Sequence, residues 1–125
     1  MKKKIGIISW VDLTVNDADN VKSFYEQVVG WNVDSVDMGG YSDYCMNQKN
    51  TNLPVAGVCH KKGTNKDLPS QWLIYINVEN LDTAMEQCIK MGGKLLTKVR
   101  HSENGRYIII EDPAGAVCAI FEAEK

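Results

Sequence analysis

The sequence is poor in the residues that mark specialised protein classes. Its 125 residues include three prolines, two phenylalanines and two histidines, and its formal net charge at pH 7 is −2. So small a charge gives no electrostatic reason to expect a nucleic acid or an anionic membrane as a partner. No stretch approaches the roughly 20 apolar residues of a membrane span. We therefore expect a soluble protein without nucleic-acid or membrane partners.

The cysteines lack the pairing that a disulfide framework needs. Cys45, Cys59, Cys88 and Cys118 are widely spaced, and no C-x-x-C pair occurs. A secreted domain of this size that depends on disulfides usually carries a denser set. The short apolar run after Met1–Lys4 lacks the length and the cleavage site of a signal peptide. These features favour reduced, mostly buried thiols in a cytoplasmic protein.

What the chain does contain is an ordered series of strand and helix patterns. Residues 5–15 alternate in the manner of a strand. Asn16-Asp17 offers capping side chains, an apolar pattern at helical spacing follows, and Gly30 suits a left-handed helix end. Three strand-like segments come next, at residues 31–38, 41–46 and 54–60.

The same order returns in the second half of the chain. A strand pattern at residues 72–78 precedes Asn80, which can cap a helix that Gly92-Gly93 would end. Strand candidates follow at residues 94–99, 106–111 and 116–121. A shift of 63 residues places Val15 on Val78 and Asp19 on Asp82. The pattern indicates a repeat of one supersecondary unit.

We therefore predict one α+β domain made of two βαβββ modules. Module one covers about residues 5–60, a polar linker covers residues 61–70, and module two covers about residues 71–122. In each module the helix would cover one face of the sheet. The other faces would curve together around a cup, which is a usual place for a small ligand.

Several stretches make the chain resemble the vicinal oxygen chelate superfamily, the group of glyoxalase I, bleomycin-resistance proteins and extradiol dioxygenases. The stretches are Trp10–Val15, Phe24-Tyr25 with Gly30-Trp31, Gly39-Gly40-Tyr41, Val55-Ala56-Gly57, Gly92-Gly93 and Glu111–Ala116. Together they span nearly the whole chain and look most like the small glyoxalase-like proteins. The resemblance implies a curved mixed sheet around a cup. Large aromatic residues usually belong to a core or an interface, so we assign Phe24-Tyr25 and Trp31 to helix-on-sheet packing.

The resemblance also implies positions for metal ligands, and there this chain departs from the family. Metal enzymes of the family hold a divalent ion with His, Glu or similar donors on the first and last strands of each half. Those positions fall on Trp10 and Leu73, and on about Gly57 and Ala119. None of the four has a side chain that binds a metal. We therefore expect no bound metal and no other cofactor.

Four residues are candidates for ligand binding. Strand parity places Trp10, Asp12 and Thr14 on one face, which the resemblance assigns to the cup, and Tyr75 is expected to line it by the same parity. The aromatic rings would stack on a flat ligand. Asp12 would contact a polar or cationic group or act as a base. An equal alternative for Asp12 is a charge at the rim, paired with Lys or Arg.

His60 and His101 are the only histidines. Because histidine titrates near neutrality, either could serve as a metal ligand or a general base. Neither has an identifiable partner in the sequence, so two partly exposed residues at loop edges are the favoured interpretation. Cys59 has the same strand parity as Gly57 and would face the cup in a structural role.

Two functions remain open. The favoured one is a metal-free protein that binds a small organic molecule, as the resistance and sequestration proteins of the family do. The alternative is a lyase, isomerase or dioxygenase with displaced metal ligands, or a metal-free enzyme that uses Asp12 or a histidine. A structural partner without a cavity is a weaker third. A homodimer is expected, because family members commonly pair across a two-fold axis and that symmetry is the commonest among soluble chains.

Overall fold

A computed structural model describes residues 4–124 of the chain. Within them lie two α-helices and nine strands: β1 (Ile8–Val15), α1 (Ala18–Val29), β2 (Asn32–Asp37), β3 (Ser42–Asn47), β4 (Pro54–His60), β5 (Trp72–Asn77), α2 (Leu81–Lys90), β6 (Lys94–Leu95), β7 (Arg100–Ser102), β8 (Gly105–Glu111) and β9 (Val117–Ala123). The predicted α+β class and the two strand–helix–strand modules are confirmed.

The described residues form two compact units. Residues 11–72 make the α1 unit, and residues 4–10 with 73–124 make the α2 unit. In the α2 unit the residues before β1 are bonded to the end of β5. The Gly6 N–H donates to the Asn77 carbonyl at 2.7 Å, and the Asn77 N–H donates to the Ile7 carbonyl at 2.9 Å. The amino-terminal segment is therefore part of the same unit as the second helix.

Both ends of α1 have the structure that the sequence predicts. The Asp17 carboxylate accepts a hydrogen bond from the Asn20 N–H at 3.4 Å and caps the first turn. Gly30 adopts a left-handed conformation, with φ of 87°, and its N–H donates to the Glu26 carbonyl at 3.1 Å. A side chain would strain that backbone, so glycine suits the end of this helix.

The sheet of the α1 unit has the order β2-β3-β4-β1, with β1 parallel to β4 and the other pairs antiparallel. One face packs against α1 through buried Ala18, Met46, Ala56 and Val58. Half-buried Val15 and Tyr44 extend the same cluster. We call this face the helix side of the α1 unit.

Aromatic rings close one end of that core. The Tyr25 ring lies 5.3 Å from the Trp72 ring and 5.9 Å from the Trp31 ring, and the Trp72 indole N–H donates to the Tyr25 hydroxyl at 3.2 Å. Tyr25 and Trp31 therefore have the packing role expected of them. Phe24 does not, because 56% of it is exposed. An apolar pattern locates the buried stripe of a helix but not the edge of that stripe.

The sheet of the α2 unit has the order β5-β9-β8-β6, with β7 beside β8. Its helix side is formed by buried Leu81, Ile108 and Ile120. Asn80 caps α2, because its side chain accepts from the Thr83 N–H at 3.0 Å. Gly93 follows α2 at a position that has no room for a side chain. A Cβ on this residue would lie 2.7 Å from the Cys88 Sγ and 2.8 Å from the Glu111 carbonyl oxygen.

One predicted strand of the second half is divided in two. Residues 94–99 were expected to form a single strand, but the pairing with β8 stops after Leu95 and resumes at Arg100. Between these points the Ile109 N–H donates to the Thr97 hydroxyl at 3.2 Å. The side-chain oxygen occupies a place that a backbone carbonyl would fill in a continuous ladder.

Within residues 4–124, no helix combines the length and the apolar composition that crossing a bilayer requires.

Candidate functional site

Each unit has a sheet face turned away from its helix, and we call it the helix-free face. In the α1 unit, Asp12 is the register partner of Gly57, and Gly57 is the partner of Cys45. Thr14 and Cys59 form the neighbouring pair. The predicted grouping of Asp12, Thr14 and Cys59 on one face therefore agrees with the strand register.

The two thiols on this face are held in the protonated form. Burial raises the pKa of Cys59 far above its ordinary value, and the charges of Asp12 and Asp43 raise it further. Burial also raises the pKa of Cys45, with added effects from Asp34 and Asp12. Because the thiolate is the reactive form, both residues have the chemistry of structural cysteines. The negative charge of Asp12 thus acts on both thiols.

The helix-free face of the α2 unit carries a line of three aromatic rings. Tyr75 pairs with Ala119, and Tyr107 pairs with Phe121. The Tyr75 and Tyr107 rings are 5.3 Å apart at 58°, and the Tyr107 and Phe121 rings are 6.5 Å apart at 34°. All three residues are half-buried. We call Tyr75, Tyr107 and Phe121 the aromatic row.

Sequence reasoning selected Tyr75 but missed the other two rings of the row. The alternation within residues 106–111 and 116–121 places Tyr107 and Phe121 opposite the helix side, so the signal was present in the parity of those strands. Trp10 is half-buried and has the same strand parity as Asp12 on β1. Its predicted role in ligand binding stays a prediction, as do those of Asp12, Thr14 and Tyr75.

The positions that the resemblance assigns to metal ligands hold no donor side chain. Leu73 and Ala119 are buried apolar residues, Gly57 has no side chain, and the indole of Trp10 offers only an N–H donor. Within residues 4–124, no group of three His, Cys, Asp or Glu side chains is placed to hold a metal ion. The residues at these positions therefore do not fit a divalent metal.

His60 differs from its expected environment. Only 6% of it is exposed, and it lies at the end of β4 as the partner of Val15 on the helix side. Its Nδ1 is 3.4 Å from the Asp43 Oδ1, and its Nε2 is 3.5 Å from the Asp19 Oδ1. The expectation of a partly exposed histidine without a partner was wrong. The two carboxylates come from β3 and α1, and no sequence motif links them to His60.

Two tyrosines and a lysine lie next to His60 and its two aspartates. The Tyr44 hydroxyl donates to the Asp19 carboxylate, and this hydrogen bond is the main cause that raises the pKa of Tyr44. The Tyr41 ring meets the His60 imidazole edge-on at 5.4 Å. The Lys62 ammonium lies 4.6 Å from the centre of the Tyr41 ring. We call His60, Asp19 and Asp43 the His60 cluster. His101, by contrast, is exposed, as expected.

A cavity of about 900 Å³ lies in the α2 unit, away from the aromatic row. Its lining comprises Lys4, Ile5, residues 77–80, Thr83, Ala84, Ala123 and Glu124. The first turn of α2 borders it, and two of the amides there have side-chain partners. The Leu81 N–H donates to Glu122 at 2.7 Å and the Thr83 N–H donates to Asn80 at 3.0 Å.

Comparison with known families identifies the fold. The model of the Glyoxalase/Bleomycin resistance protein/Dioxygenase superfamily matches residues 7–120. The chain belongs to this superfamily. The resemblance that the sequence motifs indicate is therefore confirmed.

Curated relatives of this superfamily member include "Putative glyoxylase CFP32" of Mycobacterium bovis and of Mycobacterium tuberculosis. Each is 29% identical over 122 residues, which cover 96% of this chain and 47% of the relative. The chain thus spans about half the length of the curated relatives it matches.

Solved structures share the superfamily fold. The methylmalonyl-CoA epimerase of Mycobacterium tuberculosis matches with a TM-score of 0.61 at 16% identity, covering 96% of this chain and 89% of the other. A superfamily member from Vibrio splendidus 12B01 matches with a TM-score of 0.62 at 11% identity, covering 94% of this chain and 100% of the other. At these identities the likeness concerns the fold alone.

Proposed function

We propose that this glyoxalase-like protein binds a small organic molecule with a flat, apolar part, and that the aromatic row forms the binding surface. The observation that carries the proposal is the line of Tyr75, Tyr107 and Phe121 on the helix-free face of the α2 unit. Half-buried rings retain surface for a ligand, whereas rings used only for core packing are commonly buried. Sequestration or resistance is the biological role that such binding would serve.

The chemistry of the surrounding positions supports binding without a metal. Leu73, Ala119 and Ile109 are apolar and buried, and strand register and parity place them on the same face as the aromatic row. Such a surface favours contact with an apolar ring over coordination of an ion. Trp10 is proposed to contribute a further ring. In the α1 unit, Asp12 and Thr14 are proposed to bind a polar or cationic group of a small molecule.

An enzyme is the second candidate, and Asp12 is the residue that favours it. Asp12 is half-buried and shares the register of Gly57 and Cys45, where a base could act on a bound molecule without a metal. A lyase, isomerase or dioxygenase activity that disappears in Asp12→Asn would support this candidate. Activity that requires an added divalent metal would support displaced ligands instead.

Ligand binding is tested by a thermal-shift screen of metabolites and drug-like molecules, followed by calorimetric titration of the hits. We expect Tyr107→Leu and Tyr75→Leu to weaken binding roughly threefold to tenfold each, the range that loss of one aromatic contact produces. Phe24→Leu, which changes an exposed ring on α1, is the matched control and should leave the affinity unchanged. Equal affinities in the wild type and all three variants would refute the proposed surface.

Assembly and location are further proposals. A homodimer is proposed, because two-fold symmetry is the commonest assembly of soluble chains. Light scattering that shows a monomer at high concentration would contradict it.

A cytoplasmic location is supported by the four free thiols, since disulfides persist in oxidising compartments. Fractionation of cells that produce the protein is the test.

A further inference from the structure

The outermost strands of the two units carry charges of opposite sign. In the α1 unit the outermost strand is β2, which pairs with β3 on one side only. In the α2 unit β6 and β7 both pair with β8, whose other side is taken by β9. A shift of 63 residues places β2 on the stretch from β6 to β7, so the two edges can be compared position by position.

The edge of the α1 unit is acidic. From residue 23 to residue 48 the sequence has four aspartate or glutamate residues and no lysine or arginine. Asp34 and Asp37 lie on β2 and are exposed, together with the apolar side chains of Val36 and Met38. Within residues 4–124, neither carboxylate forms an ion pair. We call Asp34, Val36, Asp37 and Met38 the acidic edge.

The edge of the α2 unit is basic. Residues 87–102 include four lysine or arginine residues and no aspartate or glutamate. Lys90 at the end of α2, Lys94 on β6 and Lys98 between β6 and β7 are all exposed. The apolar side chains of Met91 and Leu96, which lie between them in the sequence, are 71% and 42% exposed. We call these five residues the basic edge.

The small net charge of the chain conceals this separation. The formal value of −2 is a sum in which the acidic and basic segments offset each other. On both edges, exposed apolar side chains accompany the charges. Lys94 meets the Glu111 carboxylate of its own unit at 3.8 Å, but its side chain remains 74% exposed. Apolar surface with charged groups around it is typical of a surface that another protein covers.

We propose that a second copy of this chain covers both edges, with the acidic edge of each protomer against the basic edge of its partner. This proposal rests on the homodimer proposed above and assigns the surfaces that form it. A two-fold axis that brings one acidic edge to a basic edge also brings the other pair together. Two equivalent contacts therefore close the assembly.

The signs of the charges select this pairing over the alternatives. Two acidic edges repel each other, and so do two basic edges. An exposed edge strand can pair with a strand of another chain, and charge on the edge is a common protection. Here that protection acts against an edge of the same kind and favours the other kind. Because one chain carries both complementary edges, its own second copy satisfies both at once.

Charge reversal of the acidic edge is the first step of the test. The variant combines Asp34→Asn, Ser35→Lys and Asp37→Lys. Its new asparagine keeps an acceptor for the Asn47 side-chain amide, which donates to Asp34 at 2.8 Å. Circular dichroism checks that this variant and the others are folded.

Charge reversal of the basic edge gives the complementary variant, with Lys90→Glu, Lys94→Glu and Lys98→Glu. Each variant alone should raise the dissociation constant of the dimer roughly a hundredfold in analytical ultracentrifugation, because both of its contacts oppose like charges. An equimolar mixture of the two variants should form a heterodimer as tight as the wild-type dimer. In that heterodimer both contacts pair opposite charges again.

The control variant carries Glu79→Lys and Glu124→Lys, at exposed positions outside both edges. It changes the net charge as much as the acidic-edge variant does and should leave the dissociation constant unchanged. Folded edge variants that dimerise like the wild type, or that stay monomeric when mixed, would overturn the assigned edges and leave the homodimer in place. A wild-type chain that is monomeric at high concentration would refute both proposals.

The wild type also gives a measurement that needs no variant. Because salt screens opposite charges, the dissociation constant should rise roughly tenfold between about 0.05 M and about 0.5 M sodium chloride. A constant that falls or stays level over this range would contradict contacts between edges of opposite charge.

Discussion

The two units share an order of elements but differ in chemistry at corresponding places. Where α2 is fixed by the Asp82–Arg106–Glu122 network, α1 meets a histidine between Asp19 and Asp43. The helix-free face also differs, because one unit presents thiols and a carboxylate and the other presents an aromatic row. A repeated fold thus constrains the helix and its cap, while the side chains around them are free to diverge.

The largest effect is expected at the first residue of α2, which anchors the core of its unit. Leu81 is 0% exposed and packs with Ile108 and Ile120. Leu81→Ala should lower the free energy of unfolding by about 3 kcal/mol, through lost transfer energy and the cavity left behind. Urea denaturation followed by circular dichroism measures it. A loss below about 1 kcal/mol would mean that the site collapses around the smaller side chain.

The corresponding residue of the α1 unit is small, and the reverse exchange tests its fit. Ala18 stands 63 residues before Leu81 and is also 0% exposed, packed with Met46, Ala56 and Val58. Ala18→Leu should destabilise the protein by about 1–3 kcal/mol, because the packed core has no space for the added atoms. The same denaturation experiment applies. A stabilised variant would reveal unfilled space in this core.

Two matched aspartates test the difference in charge between the units. Asp82→Asn should cost about 0.5–1 kcal/mol at both pH 6 and pH 8, since Asp82 is an exposed partner of a permanent cation. Asp19→Asn keeps an acceptor for the Tyr44 hydroxyl and should cost less than Asp82→Asn, because Asp82 faces a permanent cation. Chemical denaturation of both variants provides the comparison. An equal loss of stability in the two variants would remove the contrast.

The smallest effect concerns a single hydroxyl. The hydrogen bond to Asp19 raises the pKa of Tyr44 above its ordinary value of 10.0, with burial and the charges of Asp19 and Asp43 adding to the shift. The stabilisation from this bond is therefore complete below pH 10 and is lost as the pH rises through the raised pKa. In an ultraviolet titration, Tyr44→Phe should remove a component that ionises above pH 10. Loss of a component that ionises at or below pH 10 would contradict the assignment.

Sequence reasoning reached the fold because its signals are local. The caps Asp17 and Asn80, the glycine after α1 and the alternation of the strands each act within a few residues, and the structure agrees with them. Parity also placed Asp12 and Thr14 on the face opposite the helix. Such signals need no knowledge of which strands become neighbours.

The His60 cluster could not be predicted in that way. Its members come from α1, β3 and β4, and only the register of the strands and the packing of the helix bring them together. The interruption between β6 and β7 was missed because a single threonine hydroxyl replaces a backbone acceptor. Phe24 was misplaced because it lies at the edge of an apolar stripe. Each of these three errors involves a tertiary contact, and the periodicity of apolar residues in a helix or strand does not predict such contacts.

The bonds of Gly6 and Ile7 to Asn77 have a practical consequence for dividing the molecule. The chain passes from one unit to the other both after Trp10 and after Trp72, so a cut in the segment at residues 61–70 does not yield two self-sufficient pieces. The carboxy-terminal fragment would lack its own first residues. A circular permutant that starts at Leu73 and joins the old ends would keep residues 4–10 covalently attached to the unit they complete.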